Sequence, residues 1–253
     1  MAPLSLNDQV ALAVVLIALL VLLLALALQS RRPSQHLRKV TAIEDVETLM
    51  YESAEKGQRL AIGLGPNLLD RNSSVAGLNG LPLLRAISKR SVFNDQPSQS
   101  LSGDGTLACL SQMIVRGVYQ DTLATEFFKA DYGLMIGVTP FAYLAGLLPE
   151  VNYHTNAGVI LSGQFRPETI LALDLAERKN LPVIAMSDSL SAQAVLFASS
   201  AQVCLGEDCF STNQINKKSP IGAASLVSQD VLRILIALGL LAGAVLKLVG
   251  VLP

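Results

Sequence analysis

Tryptophan is missing from the 253-residue chain, histidine occurs twice, cysteine three times, and only 15% of residues are charged. Each shortage removes a class of function. His36, His154 and three scattered cysteines supply no cluster at zinc-ligand spacing, so no metal site is expected. A Ser–His–acid triad in the central region has only His154 to draw on, and no G-x-S-x-G elbow is present. No glycine loop runs into Lys-Ser or Lys-Thr, which excludes a P-loop. Cys109, Cys204 and Cys209 are odd in number and read as thiols in a reducing compartment, with Cys204 on a buried strand. No cofactor is expected.

What is abundant is apolar sequence, 51% of the chain. Soluble domains carry about 25% charged residues, and two segments account for the difference. Residues 10–28 contain no polar side chain, and residues 231–252 hold only Arg233 and Lys247 as charges. A bilayer core about 30 Å thick is crossed by roughly 20 apolar helical residues, so both runs are long enough. A cleaved signal peptide fits the first run poorly, because no Lys or Arg precedes it and it exceeds the usual h-region. Arg31 and Arg32 follow that run directly, and Lys217, Lys218 and Arg233 approach or open the second. Positive flanks stay in the cytoplasm. The expected organisation is a transmembrane anchor over 1–30, a basic collar over 31–39, a cytoplasmic α/β domain over 40–226 and a second transmembrane helix over 227–253. Both termini then lie outside the inner membrane, with Lys247 snorkelling to the outer headgroups.

Small residues mark both spans. Ala11, Ala18 and Ala25 recur every seven residues on the first, and Gly239 and Gly243 stand one turn apart on the second. Such stripes permit close helix approach, within one chain or between two. Asp230 and Arg233 are spaced to pair at the inner end of the second.

The segment between the spans carries 13 Lys and Arg against 18 Asp and Glu, with no basic stripe, so nucleic acid is not an expected partner. Its pattern alternates. "TAIEDVETLMYESAEKG" is an amphipathic helix closed by Gly57. "RLAIGLG", "YGLMIGVT", "AGVILSG", "LPVIAMSD" and "AQVCLGE" are short apolar runs fit for strands buried on both faces, and "PSQSLSG" is a weaker strand. Helical segments separate them, and the one over 73–90 carries Gly77, Gly80 and Pro82, which predicts a kink or a break. The rhythm predicts a mostly parallel, doubly wound, Rossmann-like sheet of about six strands with helices on both faces.

Ligands of such sheets sit beyond the carboxyl ends of the strands. Those ends gather Gly63, Gly65, Asn67, Ser102, Asp104, Thr139, Gln164, Asp188 and Glu207. A polar rim of this kind suits a small-molecule site, and it equally suits ordinary solvated turns. "GLGPN" lacks the third glycine of the dinucleotide fingerprint, no acid occurs between Asp70 and Asp95, and Pro66 removes an N–H that a phosphate would need. The loop therefore reads as a tight turn. Asp188 and Glu207, ending neighbouring runs, are candidates for a carboxylate pair, although a solvated or capping role suits them better, and Asp188-Ser189 reads as a helix cap.

The run from Gly163 to Ile234 contains Glu168 after "SGQF", the Gly206-Glu207 pair and "SLVSQDVLR" leading into the second apolar run. In these elements the chain resembles a bacterial family of uncharacterised membrane proteins, domain of unknown function 6754. The resemblance implies an α/β domain tied to the bilayer and brings no activity with it. After "GED" the chain departs from the pattern, with Cys209 and "STNQINKK" where a second acid and a small-residue helix are expected. The functional expectation is thus a non-catalytic, membrane-anchored module for self-association or protein partnership. The alternatives are a small-molecule sensor at the strand ends and an enzyme using Asp104, Asp188 or Glu207.

Overall fold

The computed structural model describes residues 6–31, 40–66, 76–199, 202–215 and 220–248. It divides into two compact units, one of residues Lys39–Asn216 and one formed by the two ends of the chain.

In the larger unit, six strands make one sheet: β1 (Arg59–Gly63), β2 (Gln99–Ser102), β3 (Gly133–Met135), β4 (Asn156–Ser162), β5 (Val183–Met186) and β6 (Gln202–Cys204). The order is β3-β2-β1-β4-β5-β6, and every pairing is parallel. Parallel neighbours require crossovers, and helices supply them. The helices are α2 (Thr41–Lys56), α3 (Ala76–Ser91), α4 (Gly105–Asp121), α5 (Pro140–Asn152), α6 (Ile170–Arg178) and α7 (Leu190–Ala198).

Strand alternation divides the core in two. Leu60, Ile62, Ile160, Ile184 and Met186 point to one face, where α2, α3 and α4 cover them with Val46, Met50, Leu83, Leu84, Leu107 and Val115. Ala61, Leu101, Val159, Leu161 and Ala185 point to the other, under Leu144, Leu147, Leu173, Ala176 and Leu196 of α5, α6 and α7. Each fully buried Leu or Ile contributes roughly 1.5–3 kcal/mol through removal from water, so the two layers together drive the fold. Edge strands β3 and β6 are partly exposed, as edges must be, while the inner four are buried throughout most of their length.

Helix α2 ends as its sequence indicates. Gly57 takes φ +62, its N–H reaches Ala54 O, and the N–H of Gln58 donates to Ser53 O at 2.9 Å. That pair of bonds is the Schellman closure, which needs a residue comfortable in the left-handed region. Of the kink or break expected in α3, the break does not occur. The helix runs from Ala76 to Ser91 through Pro82. Pro82 lies on the exposed side of the helix, and Leu81, Leu83 and Leu84 around it are buried. Packing of those leucines holds the helix together.

The smaller unit consists of α1 (Leu6–Arg31) and α8 (Pro220–Leu248), which pack against each other. Residues Ala224–Leu241 of α8 are long and apolar enough to cross a bilayer, with mean hydropathy 1.7 over 18 residues. In α1 the apolar run Val14–Ala27 is shorter. Burial along the alanine stripe is graded: Ala25 is buried, Ala18 half-buried and Ala11 exposed. Gly239 and Gly243 of α8 have nothing within 4 Å of where a Cβ would stand among the described residues. Arg233 and Asp230 do pair, Nη1 to Oδ1 at 3.8 Å. Arg32 and the side chains of Arg31 and Lys247 lie outside the described residues.

Candidate functional site

The strand order reverses direction between β1 and β4, and in open α/β sheets a ligand crevice opens at that point, beyond the carboxyl ends. Here the loops that leave those strands touch through their backbones. Gly65 stands at φ +92 after β1, and a Cβ on it would come within 3.2 Å of the backbone N and O of Gln164. A Cβ on Gly163 would collide with the carbonyl group of Leu64, and one on Gly103 would meet Pro66. Hydrogen bonds hold the same loops together. Leu64 N–H donates to Leu101 O at 2.8 Å, Gly103 N–H to Gly65 O at 2.9 Å and Gly163 N–H to Met186 O at 3.0 Å. Tyr143 completes the bracing from α5. Its hydroxyl accepts from Gly65 N–H at 3.3 Å and donates to Leu101 O at 3.2 Å. Full burial raises the Tyr143 phenol well above its ordinary range, so it stays protonated and able to donate.

The glycines of "GLG" therefore serve close approach of chain to chain. A Cβ on Gly63 would lie 2.7 Å from the Tyr143 hydroxyl and 2.8 Å from a Leu161 methyl. Ser102 spends its hydroxyl on backbone, within 3.2 Å of both Asp104 O and Leu134 O. Asp104 is the N-cap of α4, its carboxylate accepting from Thr106 N–H at 3.2 Å. Thr139 is the N-cap of α5, accepting from Ala142 N–H at 3.2 Å. Both are side chains satisfying the first turn of a helix. Asn67 lies outside the described residues, as does the side chain of Glu207, which belongs to the 3₁₀ segment Gly206–Ile215 that follows β6.

Asp188 differs from these. The Asp188-Ser189 cap reading does not hold, because α7 has no side-chain cap bond. Ser187 braces the loop before the helix, its hydroxyl accepting from Phe165 N–H at 3.3 Å and Ser189 N–H at 3.4 Å. Asp188 Oδ1 is buried without a hydrogen-bond partner, and Ser162 Oγ at the end of β4 shares that condition. Buried polar atoms of this kind call for a water, an ion or a ligand group.

Two thiols lie next to this edge. Cys209 Sγ donates to Ser187 O at 3.1 Å and to Cys204 O at 3.0 Å. Burial pushes the Cys204 thiol up to about 12 and the Cys209 thiol up to about 11, with nearby acids adding to both. Both are buried thiols held protonated at neutral pH and therefore inert, whereas Cys109 is exposed. A maleimide at neutral pH is expected to modify Cys109 in the native protein and Cys204 and Cys209 only after unfolding. Intact mass after a short pulse reads the number of adducts, and modification of Cys204 or Cys209 in the native state would contradict this burial.

At the opposite, amino-terminal edge of the sheet lies a network that the sequence reading missed. Arg59 opens β1 and donates from Nη1 to Gln99 Oε1 at 2.6 Å and from Nε to Asn156 Oδ1 at 3.4 Å. Its Nη2 stands 3.0 Å from Glu150 Oε2, and its guanidinium lies 4.4 Å from the centre of the Tyr153 ring. The one signal in the sequence is an arginine directly before a buried strand, which needs a fixed partner to be held there.

No curated protein and no solved structure matches the chain. A family model does match, over residues 4–252, nearly the whole sequence. The chain belongs to the family described as a domain of unknown function (DUF6754).

Proposed function

We propose that this chain is a membrane-anchored α/β module that acts by binding, through self-association or as a subunit of a membrane assembly, with its domain on the cytoplasmic side. The observation that carries the reading is the outer surface of α8. Ile234, Ile236, Leu238, Leu240 and Leu241 are each 60–72% exposed, and only 11% of the Ala224–Leu241 window is buried. A contiguous apolar surface of that length needs lipid or protein around it. In the two-pass form of the proposal α1 supplies the second crossing, Arg31, Arg32 and Arg233 mark the inner face, and Lys247 the outer. The open Gly239 and Gly243 face of α8 is where a second helix would approach.

Cys109 provides a native reporter for the orientation. A membrane-impermeant maleimide is expected to modify it in inverted membrane vesicles and not in intact cells. Crosslinking in mild detergent is expected to trap a dimer or a defined complex. Labelling of Cys109 from outside, release of the chain by alkaline carbonate, or a monomer without a partner would each overturn the corresponding part.

The buried, unpartnered Asp188 Oδ1 and Ser162 Oγ support a second reading, a small-molecule sensor at the strand ends. A thermal-shift screen of metabolites on the full chain tests it, because a ligand at 100 times its dissociation constant adds about 2.7 kcal/mol. Shifts that persist in Asp188→Asn and Ser162→Ala variants would place the ligand elsewhere.

A further inference from the structure

A cleft of about 550 Å³ opens at the amino-terminal edge of the sheet, away from the strand-end rim. Its walls are the turn after α3 (residues 92–97) and the 3₁₀ segments that follow α4 (Thr125–Phe127 and Ala130–Tyr132), with Arg59 at its base. The volume falls in the range that binds small ligands or a few residues of peptide.

The lining has a definite chemistry. Phe93 and Phe127 line the cleft while 76% and 56% exposed. Both keep much of their apolar surface in water, which a bound apolar group would cover. Asp95 and Glu126 line the same cleft and are exposed. Of the two cations present, Arg59 is neutralised by Glu150, which leaves Lys129 alone against two carboxylates. The domain as a whole adds to this bias, with 18 acidic against 13 basic residues over 40–226. Aromatic faces with carboxylates beside them attract cations, through the ring quadrupole and through charge. The same carboxylates oppose phosphate or carboxylate ligands.

We propose that this cleft binds a positively charged group carried on an apolar stem. That chemistry is shared by a free organic ammonium and by a Lys or Arg next to an apolar residue in a partner's peptide segment. The cationic head lies between Asp95 and Glu126, and the stem covers Phe93 and Phe127. The site is separate from the rim at Asp188, and its occupancy does not depend on how the chain meets the membrane.

The absence of tryptophan makes a direct test available. The full chain carrying Phe93→Trp, in detergent micelles, contains a single indole in the cleft wall. It is titrated with phenethylammonium, with its isostere 3-phenylpropionate, and with the dipeptides acetyl-Phe-Arg-amide and acetyl-Phe-Glu-amide. A saturable fluorescence change is expected with one or both cations and not with the anions. Response to the small amine points to a free ligand, and response to the arginine dipeptide alone points to a partner segment. Asp95→Asn with Glu126→Gln is expected to weaken cation binding about tenfold, the scale of two exposed ion pairs. Phe127→Trp, read in the same way, serves as a second reporter if Phe93→Trp does not fold. Equal response to cations and anions, no saturable response to any of the four probes, or undiminished cation affinity in the Asn/Gln variant overturns the proposal.

Discussion

Gly163→Ala is expected to destabilise the domain by about 3 kcal/mol or more, at the severe end of single substitutions. The added methyl would stand against the carbonyl oxygen and carbon of Leu64 and 3.1 Å from Gly65 Cα. All three are backbone atoms, so no side-chain rotation can relieve the clash. They belong to the loop that Leu101, Tyr143 and Gly103 fix by hydrogen bonds. Relief therefore requires β4 to part from the β1 loop, at the centre of the sheet. For a domain of this size each kcal/mol moves the melting temperature by about 2–4 °C, so a drop of roughly 6–12 °C is expected by circular dichroism of the full chain. Gly117→Ala is the matched control. Gly117 lies inside α4 with nothing within 4 Å of its Cβ position, and alanine there is expected to add about 0.5–1 kcal/mol. If Gly163→Ala melts like the unsubstituted chain, the two loops do not meet as described.

The contrast between those glycines shows what a sequence can and cannot reveal. Helix and strand identity is encoded locally, in spacings of two and of three to four residues, so the six strands and the amphipathic α2 with its Gly57 stop were readable. Caps are local too, yet Asp104 and Thr139 read as part of the polar rim and prove to be caps, while the cap expected at Asp188-Ser189 makes no side-chain bond to α7. Nothing in "GLGPN" separates a glycine that admits a ligand from one that admits another chain. The difference lies in Gln164, 99 positions from Gly65, whose backbone occupies the space. Pro82 misled for a related reason. Proline propensity is local, whereas Leu81, Leu83 and Leu84 hold α3 together through contacts with distant elements. Strand order was illegible on the same ground, since it is set by which faces pack, and most strands here read as apolar on both sides. The cleft at the amino-terminal edge stayed hidden because Arg59, Phe93 and Phe127 come from three separate connections.

Arg59→Met is expected to destabilise the protein by about 2–4 kcal/mol, although it removes no residue from the hydrophobic core. Arg59 and Glu150 are 16% and 20% exposed, so the pair is largely shielded. Breaking a fully buried pair costs about 3–5 kcal/mol, because one charge is left without compensation; the residual exposure here lowers that figure. Further losses follow, since Gln99 Oε1 and Asn156 Oδ1 each lose a donor and Tyr153 loses the cation over its ring. Asn156 still donates to the Glu150 carbonyl, so the start of β4 remains tethered and the effect is graded. Arg59→Lys keeps the charge and one contact but lacks the planar fork that reaches Glu150, Gln99 and Asn156 together, and is expected to recover less than half of the loss. The double variant Arg59→Met/Glu150→Leu is expected to be more stable than Arg59→Met alone, because it strands no charge. Denaturant midpoints of the parent, Arg59→Met, Glu150→Leu and the double variant close a double-mutant cycle. A lysine variant indistinguishable from the parent, or a methionine variant within 1 kcal/mol of it, would show that the guanidinium network does not anchor this edge of the sheet.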